Sequence, residues 1–206
     1  MKLKRGSRTG ALHAIVQVAR DSKWWIEHQV ELRLWDGSVP APAAIKQQVV
    51  KGYARSHGLR TLVETGTYRG DMTAATRWQF EQIHTIELDP LLATQARKRF
   101  WAWRRVHVYQ GNSAEVLPRV LETLSAPALL WLDAHYCEGV SARGETTTPI
   151  VSELDLALTH PFAQVILIDD ARHFGQGDYP TVEHIEEMVH RAGRLMEVDL
   201  DIIRIV

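Results

Sequence analysis

From Arg60 onward the apolar residues come in short runs, separated by stretches in which they recur at helical spacing. The runs are TLVET over 61–65, HTIEL over 84–88, VHVYQ over 106–110, LLWLDA over 129–134 and QVILIDD over 164–170. Each is short and apolar and reads as a strand. Amphipathic stretches over about 72–80, 91–101, 113–124 and 150–159 lie between them, and a last helix is predicted from near Pro180 to Gly193. For the 150–159 helix, Thr148 supplies a cap and Pro149 suits the first turn. Strands that alternate with helices predict an α/β, Rossmann-like doubly wound sheet, mostly parallel, with right-handed crossovers and helices on both faces. The closing RLMEVDLDIIRIV reads differently, as two short strands with no helix between them, hence an antiparallel hairpin at one edge.

The chain before Arg60 has another character. Residues 10–35 show helical spacing, with Trp24, Trp25, Val30 and Trp35 mixed among charges. DGSVPAP, residues 36–42, is a cluster of breakers and reads as a linker. A helix is expected over 43–57, with Val49, Val50 and Tyr53 on one face and Gly58 as its stop. The expected division is a helical appendage and linker over 1–42, then one domain over 43–206.

Composition narrows the function without naming it. A length of 206 residues suits one domain with a real core, and 45% hydrophobic with 24% charged residues is ordinary for a globular protein. A formal net charge of -1 leaves no global field to draw the chain to nucleic acid or membrane. The basic opening MKLKRGSR reads as a solvated tail. The single cysteine, Cys137, allows no internal disulfide and reads as inert. ALHAIVQVARD is broken by His13, Gln17 and Arg20, so no signal peptide or span is expected and the default is a soluble cytoplasmic protein. The expected partner is a small molecule, not nucleic acid or membrane, with a homo-oligomer left open.

The candidate chemistry collects where the strands end. In an open α/β sheet, ligands bind outside the carboxyl ends of the strands. There the five runs deliver Glu64-Thr65-Gly66, Glu87-Leu88-Asp89, Gly111-Asn112-Ser113, Asp133-Ala134-His135 and Asp169-Asp170. The first loop, GTYRG, is neither the G-x-G-x-x-G of dinucleotide sites nor a phosphate-binding P-loop. Glu64 before the turn would repel a phosphate and attract an ammonium group. Glu87 follows Gly66 by some twenty positions, the distance at which an acid accepts from ribose hydroxyls. A ligand with a ribose, a cationic head and no phosphate fits, and S-adenosylmethionine (SAM) is that ligand.

VETGTYRGD followed by TIELDP, GNSAEVLP, LLWLDAHY and ILIDDARHF resembles the class I SAM-dependent methyltransferases. The likeness is greatest to the metal-dependent sugar O-methyltransferases of the macrocin and novobiocin type, and it covers roughly residues 40–206. It implies a seven-stranded sheet whose last strand is antiparallel. It places Glu64 at the methionine amino group, with Gly66, Thr67, Tyr68 and Gly70 bringing backbone against the cofactor. Glu87, with Leu88, would hold the ribose, Asn112 and Ser113 the adenine edge, and Asp133 would border the cofactor. Asn112 stands where the family more often has Asp and would accept from the amine through its amide oxygen.

Asp133, Asp169 and Asp170 end neighbouring strands and would raise one another's pKa if left uncompensated. All-oxygen donors favour a hard cation such as Mg²⁺, and the resemblance implies a metal held there beside an acceptor hydroxyl. Asp133 or His135 is then the expected base. The long loop 135–149 reads as a lid or substrate loop whose Arg143 could meet an anionic part of the substrate. His173 and His184 read as surface residues, and the N-terminal tryptophans as packing. The rival readings are a metal-independent N- or C-methyltransferase and a methyltransferase-like binding subunit without turnover. A nicotinamide oxidoreductase is disfavoured by the missing G-x-G-x-x-G.

Overall fold

A computed structural model describes residues 35–133 and 148–206. The helices expected over 10–35, with Trp24 and Trp25, lie outside the described residues, as do 134–147. Asp36 and Ser38 form a tight turn, Ser38 N donating to Asp36 Oδ1 (2.9 Å), with the Trp35 ring N–H on Ser38 O (2.8 Å). Among the described residues no helix is long and apolar enough to cross a membrane.

After α1 (Ala43–Ser56) come β1 (Thr61–Thr65), α2 (Asp71–Thr76), β2 (Gln82–Glu87), α3 (Pro90–Phe100), β3 (Val106–Gln110) and α4 (Ser113–Leu121). Then follow β4 (Leu129–Leu132), α5 (Ile150–Thr159), β5 (Val165–Ile168), α6 (Val182–Arg191), β6 (Met196–Asp199) and β7 (Ile202–Ile205). The seven strands form one sheet in the order β3-β2-β1-β4-β5-β7-β6. Pairing is parallel from β3 through β5, whereas β7 is antiparallel to both β5 and β6. The sheet and its reversed last strand are as the sequence implies.

Strands β4 and β5 are buried at every residue because helices cover both faces. Alternation then sends neighbouring side chains to opposite cores. Val63, Leu130, Leu132, Ile166 and Ile168 pack with Leu117 of α4, Leu154 of α5 and Ile185 of α6. Leu62, Leu129, Trp131 and Leu167 pack with Val50 and Ala54 of α1.

Most elements fall where the pattern puts them, with β1, β3 and α5 at the expected bounds. Helix α2 is shorter, ending at Thr76 instead of near residue 80. Trp78 beyond it is 74% exposed, so no apolar stripe holds another turn, and Phe80 instead turns inward to lead into β2. Strands β4 and β5 stop at Leu132 and Ile168, which leaves Asp133, Asp169 and Asp170 just past the ladders.

Candidate cofactor pocket and carboxylate rim

The chain builds the sheet outward from β1 through β2 to β3, then returns to β1's other side for β4 and β5. The order therefore reverses between β1 and β4, and the crevice outside their carboxyl ends is where such folds bind ligands. Gly66 sits at this crevice with φ 85, and a Cβ there would lie 3.1 Å from Asp133 Cβ. Glycine alone combines that left-handed backbone with so close an approach of the two loops. Gly70, with φ 76, starts α2, and a Cβ on it would reach 2.7 Å from the Phe100 ring.

The two glutamates assemble the loop between these glycines and its surroundings. Glu64 Oε2 accepts from the hydroxyls of Thr73 (2.6 Å) and Thr85 (2.5 Å), and Thr85 in turn meets Thr67 at 2.5 Å. Burial pushes the Glu64 carboxyl up to about 7, the two threonine hydroxyls pulling the other way. Glu87 Oε2 accepts from Tyr68 N (2.6 Å) and Oε1 from Asp89 N (2.9 Å). The β1 loop is thus tied to the end of β2 by a carboxylate whose two oxygens each accept one backbone donor. Tyr68, held in a left-handed conformation (φ 46), is half exposed above it.

Asn112 caps α4, its Oδ1 accepting from Ala114 N at 3.0 Å. The expected acceptor of the adenine amine therefore already carries one backbone donor. Asp89, another strand-end acid, caps α3 through Leu91 N and Leu92 N (2.7 and 2.8 Å). A cavity of about 200 Å³ brings Thr65, Gly66, Leu88, Asn112, Ser113 and Asp133 together. Glu64, Thr67, Tyr68, Gly70 and Glu87 are not in its lining. They build and brace the loop that forms one wall.

Asp133, Asp169 and Asp170 also converge, with one carboxylate oxygen from each lying within 4.8 Å of the others. Asp170 takes a left-handed backbone, φ 55, a conformation that Asp tolerates better than most residues. Burial pushes the Asp169 carboxyl up to about 7 against the pull of Lys46, and Asp170 and Asp133 add to the rise. His135, Arg143 and Cys137 lie outside the described residues. His173 is half-buried beside Tyr179, with ring centroids 6.0 Å apart, while His184 is exposed.

No family model matches the chain, and no curated protein matches it. Solved structures do. The O-methyltransferase TomG from Streptomyces achromogenes, involved in tomaymycin synthesis and bound to SAM, is 19% identical with a TM-score of 0.57, covering 87% of this chain and 85% of its own. The O-methyltransferase from Bacillus cereus in complex with S-adenosylhomocysteine (SAH) gives 16% and 0.56 over 98% and 91%. The SAH-bound methyltransferase PaMTH1 of Podospora anserina gives 13% and 0.55 over 100% and 98%. The fold is that of the class I methyltransferases.

Two residues of this methyltransferase fold escape the strand-end reading because both lie on helices. Glu153 of α5 is 1% exposed and lines the small cavity. Its Oε2 accepts from the Thr65 hydroxyl at 3.4 Å, while Oε1 has no partner among the described residues. An acid on the helix face otherwise made of Ile150, Leu154 and Ala157 was the available signal. Burial pushes its carboxyl up to about 7, with the Ser113 and Thr65 hydroxyls opposing and Asp133 adding to the rise. The folded state thus holds the proton to about pH 7, whereas the unfolded chain releases it near 4.5, so stability falls as pH rises through that window. Glu153→Gln is expected to be more stable than wild type by up to about 3 kcal/mol at pH 8 and about equal at pH 4. Melting temperatures of the two proteins across that range measure this, and a gain that does not grow with pH refutes it.

The second is Lys46 of α1. Its Nζ lies 2.6 Å from Asp169 Oδ1 and 2.9 Å from Asp170 Oδ1. Burial alone would lower its pKa, but the two aspartates outweigh that and raise it. Arg172 also donates to Asp170 Oδ1 (2.6 Å) and pairs with Asp201. The oxygen donors suit a hard cation, yet two of the three carboxylates are already bridged by an ammonium.

Proposed function

We propose that the protein transfers a methyl group from SAM to a hydroxyl of a small molecule of the sugar or natural-product type. The observation that carries this is the juxtaposition at the β1–β4 switch point. A glycine-turned loop braced by Glu87 walls a cavity that Asp133 shares with the carboxylate rim. The O-methyltransferase names of TomG and the Bacillus cereus protein, and their bound SAM and SAH, support the same reading.

Glu87 would accept from the ribose hydroxyls, Glu64 would balance the methionine ammonium, and Gly66 would let backbone approach the amino-acid end. Leu88, Asn112 and Ser113 would line the adenine. SAM supplies an activated methyl, so the protein's part is to align acceptor oxygen, methyl carbon and sulfur and to keep water out. The oxygen forms the new C–O bond as the C–S bond breaks, and Asp133 takes the hydroxyl proton, with His135 the other candidate. A second cavity of about 860 Å³, lined by Asp155, Tyr179 and His184 among others, shares Thr148 and Ser152 with the first and is the space for the acceptor's body. A hard divalent cation bound by Asp133, Asp169 and Asp170 would lower the acceptor's pKa. Lys46 on that pair favours the second reading, transfer without a divalent metal. A cytoplasmic location and a small-molecule partner belong to the same proposal.

Calorimetric titration with SAH, with and without Mg²⁺, tests it. Saturable one-to-one binding is expected, followed by transfer of labelled methyl to a hydroxylated acceptor. Absence of SAH binding under both conditions overturns the reading.

A further inference from the structure

Lys46 reaches the rim from α1, the helix that precedes the whole strand series, and is held there by its own fold. Val50 and Ala54 on the same helix are buried against Leu129, Trp131 and Leu167, which fixes α1 over β4 and β5. The Lys46 side chain is only 13% exposed, so its ammonium is a settled charge and not a surface lysine resting on an acid. Asp169 Oδ1 accepts Lys46 Nζ and also Asp170 N (2.8 Å), and Asp170 Oδ1 accepts both Lys46 and Arg172. These oxygens are therefore saturated by fixed donors before any ion arrives.

We propose that Lys46 is the resident cation of the aspartate rim, occupying the position that a divalent ion would need. The inference rests on the rim being the transfer site proposed above, and it changes what supplies positive charge there. A buried acid cluster has two ways to be stabilised, by a bound metal or by a covalently attached cation. This chain carries the second within salt-bridge distance of two of the three acids. An ammonium has three donors. Two go to the aspartates, and the third would orient an acceptor oxygen and meet its developing negative charge. A divalent ion entering the same oxygens would face the Lys46 charge at close range, a repulsion that strongly weakens binding at any interior dielectric.

The test is Mn²⁺ binding by the full chain, followed by electron paramagnetic resonance and calorimetry, with SAH titration on the same samples. Wild type is expected to show no saturable Mn²⁺ binding below about 1 mM, and Lys46→Met to gain a site at least about tenfold tighter. Lys46→Arg, which keeps the charge, is expected to behave like wild type. Lys46→Gln serves in place of Lys46→Met should that variant not fold, as judged by its melting curve. Tight Mn²⁺ binding by wild type, or no gain in either neutral variant, overturns the proposal. Loss of SAH binding by wild type would instead overturn the methyltransferase reading. The manganese result stands apart from it, because the rim and Lys46 are present either way.

Discussion

Glu87→Ala is expected to lower the affinity for SAH by at least about a hundredfold. The residue does two jobs. Its carboxylate ties Tyr68 N and Asp89 N, two charge-assisted bonds that set the β1 loop, and its remaining lone pairs are the ones proposed to accept from the ribose. Hydrogen bonds to a charged group are worth roughly 1.5–3 kcal/mol each, so loss of the ribose contacts alone amounts to about 3 kcal/mol or more. Loss of the loop's tie to β2 adds to that. Glu87→Gln keeps one acceptor oxygen but sets an amide donor against the other backbone N–H, so it is expected to fall between. Isothermal titration with SAH measures both variants. An Ala variant that melts like wild type and binds SAH equally well would remove Glu87 from the cofactor site.

The largest effect on turnover is expected at Asp133. Its side chain belongs both to the small cavity and to the aspartate triad, and its Cβ packs where only a glycine at 66 leaves room. Asp133→Asn preserves that shape while removing the negative charge and the proton acceptor. Methyl transfer is expected to drop by about 10²–10⁴-fold, the range of a positioned acid or base. SAH affinity should stay within about threefold, since asparagine keeps the side-chain shape at the cavity wall beside Gly66. The comparison needs kcat and SAH affinity on one preparation. Undiminished transfer by the variant would mean that the reaction takes place away from this rim.

Much of this was legible in the chain because apolar periodicity and strand-end chemistry are local. The five strand runs, the terminal hairpin, and the convergence of Asp133, Asp169 and Asp170 all follow from strand order and the 4.8 Å spacing of parallel strands. Helix α2 came out short because a periodic pattern does not reveal which face will be covered, and Trp78 meets Trp103 edge-on and stays largely exposed. Lys46 gave no signal for a related reason, and Glu153 only the weak one of an acid on an apolar helix face. Each is a polar residue on a helix, and its meaning depends on which strand end that helix is packed against. Asn112 and Asp89 show the converse. Both stand at strand ends as a ligand-binding residue would, and both also cap the helix that follows. A strand end and a helix start are the same few residues in a doubly wound sheet, so capping and ligand binding compete for the same side chains.

The insertion of β7 between β5 and β6 has a bearing on how the protein is made. Ala171 N donates to Asp201 O (2.9 Å), Arg172 N to Asp201 Oδ1 (2.8 Å), and the Arg172 guanidinium to the Asp201 carboxylate. Asp201 sits in the turn between β6 and β7, the last strand of the sheet to leave the ribosome. The wall that carries Glu64, Gly66 and Glu87 is complete in sequence long before that. Until Asp201 has been made, the segment after β5 therefore lacks the residue that holds it. The acidic rim thus depends on the strand pair that completes the sheet, because Arg172 joins Asp170 to Asp201.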